Sequence, residues 1–227
     1  MTHTKIKDLI DQLEQLQEDL MALPDDMLLN IDARDNESID KGTQFIKSYN
    51  EDLSGFSDYS ARLVRQIKDY FEINPEMEDI ESEQFYENKS SRIIKELDTT
   101  QAYSITDSFT YKRPYGFVLG DIAFKGIKTW RSLFSQILKV LAEKNPEQFQ
   151  KLPEAEEFIS SRGNPFFSKD QEKLRMPEKT DMGFYVEVNH SANGLMKKLE
   201  NVMNYLNINP VDIPAILCHS YRAYCAR

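Results

Sequence analysis

Near residue 108 the chain changes character, and that break constrains its fold more than any other feature. Six of the eight glycines and seven of the nine prolines lie beyond it. Residues 1–107 carry 11 basic and 25 acidic side chains, a net −14, whereas residues 108–227 carry 17 and 13, a net +4. Glycine and proline punctuate turns and stop helices. A chain that withholds them from one half predicts helices there and a mixed architecture in the other. The length of 227 residues suits one large domain or two small ones. The polar stretch Asp98-Thr99-Thr100-Gln101 places the boundary within 98–108. The expectation is an acidic helical domain at 1–104 and a small α+β module with a β-hairpin at 105–227. The fold class is then α+β, mostly α.

In the first half Ile6, Leu9, Leu13, Leu16, Leu20 and Leu23 follow spacings 3-4-3-4-3, the a/d rhythm of a coiled coil. Ile10 widens that stripe, as in a bundle helix, and Pro24 is expected to end it. Three heptads are marginal alone, so the helix needs its own chain, a protein partner or a second copy. Leu9, Leu13, Leu16 and Leu20 are therefore the candidate protein-interface residues. Ile39, Phe45, Ile46, Tyr49 and Leu53 suggest a second helix. Ser57 or Asp58 could cap a third that buries Tyr59, Leu63, Ile67, Tyr70 and Phe71. An acidic connector from Glu72 to Glu83 precedes a fourth carrying Phe85, Ile93, Ile94 and Leu97. Four helical patterns with short joints read as a bundle or a pair of helical hairpins.

In the second half Phe117-Val-Leu119 and Ile122-Ala-Phe124 flank Gly120-Asp121, a hairpin signal. Thr129 can cap a helix with the stripe Trp130, Leu133, Phe134, Ile137, Leu138 and Leu141, which Asn145-Pro146 stops. Short helices with Phe149, Leu152, Phe158 and Ile159 inside should follow. Gly183–Val188 reads as a strand, Ser191 opens a helix carrying Leu195, Leu199, Val202, Met203 and Leu206, and Ala215-Ile216-Leu217 reads as a closing edge strand.

No chemistry-bearing motif stands out. Zinc sites pair their ligands as C-x₂-C or H-x₃₋₅-H. His3, His190 and His219 do not pair in that way, and neither do Cys218 and Cys225. Walker A, G-x-G-x-x-G, G-x-S-x-G and H-E-x-x-H patterns are missing. Asp121, Lys125, Glu187, His190 and Asn193 fall short of a nuclease constellation, because no E-x-K follows, and read as turn and capping residues. No catalytic residue, metal or cofactor is implied. Two cysteines near one end make no disulfide framework, so reduced thiols in a cytoplasmic protein are expected. No apolar run nears the roughly 18–20 residues a bilayer requires, and the first residues lack the apolar core of a signal peptide.

Binding signals are richer. Lys112-Arg113-Pro-Tyr115, Lys125, Lys128, Trp130-Arg131, Arg162-Gly-Asn-Pro-Phe166-Phe167-Ser-Lys169, Lys173 and Arg175 mix cations with aromatic rings. Cations neutralise phosphates and exposed rings stack on bases. The helix opened by Ser191 also presents free N–H groups beside Lys197 and Lys198. Arg113, Lys125, Arg162, Lys169, Lys197 and Lys198 are the candidate nucleic-acid or anion-binding residues. A net +4 is well below a strongly basic footprint. Local pairing with acids is the competing reading.

The runs RPYGFVLGDIAFKGIKTWRSLFSQILKVL, SSRGNPFFSKDQEKLRMP and GFYVEVNHSANGLMKKLENVM carry a resemblance. Over about residues 109–217 they resemble a C-terminal module of uncharacterised bacterial proteins that accompanies restriction, phage-defence or mobile-element genes. The resemblance implies a nucleic-acid-directed or defence-complex accessory role and carries over no activity. The reading is a non-enzymatic adaptor, with helices for association and a module for which nucleic acid is a candidate partner. The alternatives are a protein-interaction or regulatory subunit without nucleic acid, and an enzyme with a dispersed site.

Overall fold

The computed structural model describes residues 3–29, 31–32, 34–71, 102–208 and 214–219, with Ser90, Ile93 and Ile94 between them. It is an α+β fold, mostly helical, in two compact units spanning residues 1–73 and 74–227. The contact break at 73/74 comes ahead of the change in charge and punctuation at 98–108. Between the two positions, Ile93 and Ile94 pack with Ala102 on Ala123 and Leu217 of the second unit. The expected fourth helix and its acidic connector otherwise lie outside the described residues.

The first unit is a helical hairpin. Helix α1 spans His3–Leu29 and helix α2 spans Asn36–Tyr70. Pro24 does not end α1, contrary to expectation. A proline removes its own N–H and so orphans the carbonyl four residues back. Here that carbonyl, Leu20 O, accepts a hydrogen bond from the Tyr49 hydroxyl of α2 at 2.9 Å. A tertiary donor replaces the missing backbone one, and the helix continues.

The expected second and third helices are a single element. Its cap is Asp35, whose carboxylate accepts from the Glu37 and Ser38 amides. Ser57 is not a cap. It is buried in mid-helix and accepts from the Gln17 side-chain amide at 2.9 Å. The seam between α1 and α2 is thus partly polar, with Gln17, Ser57 and Ser60 buried. Tyr59, Leu63 and Tyr70, expected inside, are exposed.

Among its described residues the second unit holds two antiparallel three-stranded sheets. Strands β1 (Arg113–Leu119) and β2 (Ile122–Lys125) form the expected hairpin. Its two-residue turn begins at Gly120, whose φ of +61° lies in the left-handed region open to glycine. Gly116 is fixed differently, because a Cβ there would meet the Phe124 carbonyl oxygen at 2.2 Å. Pro114 is tolerated in this central strand because the β1 register shifts between Pro114 and Gly116, a bulge where a missing N–H disrupts no ladder. Thr129 caps α3 (Trp130–Lys144), accepting from the Ser132 amide, and α4 (Pro146–Phe149) follows Asn145 as expected.

The second sheet joins β3 (Phe167–Ser168), β4 (Pro177–Lys179) and β5 (Tyr185–Glu187) in the order β3-β5-β4. The Gly183–Val188 reading anticipates β5, whereas β3 and β4 are too short to leave a period-2 pattern. Ser191 caps α5 (Ala192–Tyr205), and β6 (Ala215–His219) closes the first sheet as an edge strand in the order β2-β1-β6. The core is aromatic. Phe149, Phe184, Phe167 and Phe158 form a contiguous run with centroids 5.1–5.8 Å apart, and Phe166 joins Phe167 at 4.9 Å. Trp130 is buried on Phe109 at 4.7 Å, its indole N–H donating to the Lys112 carbonyl at 2.9 Å.

Candidate functional site

The hairpin leaves one apolar side open. Along α1, Leu9 and Leu16 are 49% and 50% exposed, while Leu13 and Leu20 are half-buried. Ile6, Ile10 and Gln17 are buried along the seam arc, while Gln15, Glu18 and Ala22 are buried on the opposite side of the helix. At 3.6 residues per turn Leu9 and Leu16 lie about a quarter turn away from the seam arc. On α2, Phe45, Tyr59, Leu63 and Tyr70 lie a quarter turn from the seam positions Tyr49, Ser57 and Ser60, in the same rotational sense. Antiparallel helices are related by a two-fold axis normal to their common plane, so equal offsets fall on the same side. Leu9, Leu16, Phe45, Tyr59 and Leu63 therefore share one face. The 3-4 spacing pointed to the α1 stripe. The α2 part leaves no such signal, because large apolar residues in a helix read as core until their exposure is known.

The six candidate cations separate. Arg113 sits in central strand β1 and is 9% exposed, so it offers little to a ligand from solvent. Lys125 ends β2 of the same sheet and is exposed. Arg162, Lys169 and Lys198 lie around β3 of the second sheet. Arg162 lies exposed in a tight loop held by Gly163 N–H to Ser160 O at 2.8 Å and Ser160 N–H to Asn164 O at 2.9 Å. That loop borders a groove of about 620 Å³ lined by Ile159, Asn164, Phe167, Lys169, Asp170 and Lys173.

Lys169 pairs with Glu154 at 2.8 Å, which holds that carboxyl below the usual range. Lys197 pairs with Glu200 at 2.7 Å on α5. The Lys198 ammonium stands 5.0 Å over the Phe166 ring. The structure brings the Arg162 loop, Lys169 and Lys173 to one groove, with Lys198 against the ring beside it. Arg113 and Lys125 belong to the first sheet.

The remaining polar residues are engaged in holding the backbone. The Glu187 carboxylate accepts from the amides of Arg175, Met176 and Asn189 at 2.6, 3.1 and 2.8 Å. Asn193 clips α5 to the segment before β1, accepting from Phe109 N–H at 2.7 Å and donating to Thr110 Oγ1 at 3.0 Å. His190 packs against Phe166 at 5.5 Å, and burial holds its imidazole below the usual range. Burial also pushes the Cys218 thiol up to about 12, which keeps it protonated and a poor nucleophile. Turn and capping chemistry accounts for Glu187 and Asn193. Among the described residues no three His, Cys, Asp or Glu side chains stand close enough to share a metal, and no helix is long and apolar enough to cross a membrane.

Fold and surfaces define a mostly helical α+β chain with an open apolar hairpin face and a cation-bordered groove. No family model, curated protein or solved structure matches it.

Proposed function

We propose that this chain is a non-enzymatic adaptor that associates with protein through the apolar face of its hairpin. The observation that carries the reading is the exposure of Leu9, Leu16, Tyr59 and Leu63 on one side of two helices. A monomer gains nothing by leaving large side chains in water, and contiguous exposed apolar patches mark interaction sites. Replacing Leu9 and Leu16 by Asp is expected to abolish association while leaving the circular dichroism of the helices intact. Loss of helicity in that variant would mean the leucines are core, and the reading would fail.

A second reading, nucleic-acid contact by the α+β unit, is favoured by Lys169 and Lys173 in the groove, by the Arg162 loop whose Gly163 and Asn164 line it, and by the cation–ring pair of Lys198 with Phe166. Phosphate contacts require affinity that falls steeply with salt. Arg162→Glu with Lys169→Glu should weaken oligonucleotide binding and flatten its salt slope. Binding equal to wild type would reject the groove. The resemblance over residues 109–217 adds a bacterial defence or mobile-element setting to this proposal, which the neighbouring genes would test.

A further inference from the structure

Resting on the adaptor reading, we infer that the partner of the hairpin face is a second copy of the same face, packed antiparallel into a four-helix bundle. Charge is the first argument. The hairpin, residues 3–71, carries 8 basic and 15 acidic side chains, a net −7. On the helical wheel its acids concentrate away from the apolar face. That face with its flanks holds Lys5, Lys41 and Arg62 against Asp8, Asp19, Asp26, Glu37 and Asp52, a net of only −2. Two such faces meet with little repulsion, whereas the outer surfaces of two hairpins would repel.

Register is the second argument. An antiparallel pairing of α1 with its copy that sets Leu13 against Leu16 also sets Leu9 against Leu20. Lys5 and Asp26, three heptads apart, occupy the same flanking position of the stripe, and this pairing brings Lys5 of one copy beside Asp26 of the other. A parallel pairing sets Lys5 near Ile10 instead, with no charge to meet. The contacts of Gln17 with Ser57 and of Leu20 with Tyr49 together set residues 55–60 of α2 level with the centre of that stripe. The same two-fold axis then sets Phe45 against Tyr70 and Asp52 against Arg62, within about a turn. Gly55, exposed near this centre with nothing within 4 Å of an added Cβ, leaves room for close approach.

Size is the third argument. Helices of 27 and 35 residues give about a third of their residues to one face, about 20 a side, the number a standard interface uses.

The test is sedimentation equilibrium of the full chain with a charge swap. Wild type should have the mass of a dimer. Lys5→Asp and Asp26→Lys should each weaken it about two- to five-fold in Kd, and their combination should restore it. Leu9→Asp with Leu16→Asp should yield a monomer of unchanged helicity. A monomeric wild type would overturn self-pairing. If its Leu9→Asp/Leu16→Asp variant still lost a different protein partner, the adaptor reading would stand without it. A dimer indifferent to the leucine changes would overturn the face, and single swaps without rescue in the double would overturn the antiparallel register.

Discussion

Deleting the Tyr49 hydroxyl should cost the hairpin stability that proline geometry alone explains. Pro24 gives Leu20 O no donor, and Tyr49 supplies one from the other helix at 2.9 Å. Tyr49→Phe keeps the ring and its stacking on Phe45 at 5.7 Å. A net hydrogen bond contributes about 0.5–1.5 kcal/mol and a dry orphan carbonyl costs about 1–3 kcal/mol. Tyr49 and Leu20 are half-buried, so water partly reaches the freed carbonyl and the loss should be near ~1 kcal/mol. For a unit of 73 residues that is about 4–8 °C in Tm.

Two optical signals separate the units. Trp130, the single tryptophan, reports the second unit by fluorescence, while far-UV circular dichroism reads the helices of both. Only the dichroism transition should move. Pro24→Ala returns an N–H to Leu20 O, and in that background Tyr49→Phe should cost close to nothing. Burial raises the Tyr49 phenol above its ordinary 10, so the folded hairpin keeps a proton that the unfolded chain releases. This contribution is complete below pH 10 and declines above it, and Tyr49→Phe should remove the decline. An equal cost in both backgrounds, or none in wild type, would refute the reasoning.

Other consequences follow from single contacts. Gly116→Ala should destabilise the second unit by about 3 kcal/mol in urea titrations read at Trp130, because its Cβ meets backbone rather than a yielding side chain; a loss below about 1 kcal/mol would mean the β1–β2 approach relaxes freely. Cys218 should resist iodoacetamide at pH 8 in the folded chain and react on unfolding, as followed by peptide mass spectrometry; rapid labelling in the fold would contradict its burial. A fragment of residues 74–227 should melt cooperatively. One starting at 105 should melt lower, having lost Ile93, Ile94 and Ala102 from Ala123 and Leu217 and the pairing of Tyr103 with Ile216.

Legibility in the sequence followed the range of each interaction. The β1–β2 hairpin and the caps Thr129 and Ser191 were readable because turn and cap chemistry acts over two or three residues. Pro24 reads as a helix stop because its remedy, Tyr49, lies 25 residues along the chain. Ser57 resembled a helix start, since a serine ahead of an apolar run has the same local signature whether it caps or faces Gln17 across a seam. That partly polar seam also inverted the pattern on α2, where large residues turned outward and small ones inward. The cation spacing could not reveal that Lys169 meets Glu154, fifteen residues earlier in the sequence and adjacent only once the 152–170 loop folds.

Whether the hairpin face is an association surface rather than core is decided by thermal melts over two decades of concentration. An association that belongs to the folded state makes Tm rise with concentration, and an intramolecular core does not. Wild-type Tm should rise across the range, while Leu16→Asp should melt at one temperature throughout, equal to the dilute limit of wild type. A wild-type Tm independent of concentration, with Leu16→Asp melting lower everywhere, would place Leu16 in the hairpin's own core and rule out an association face.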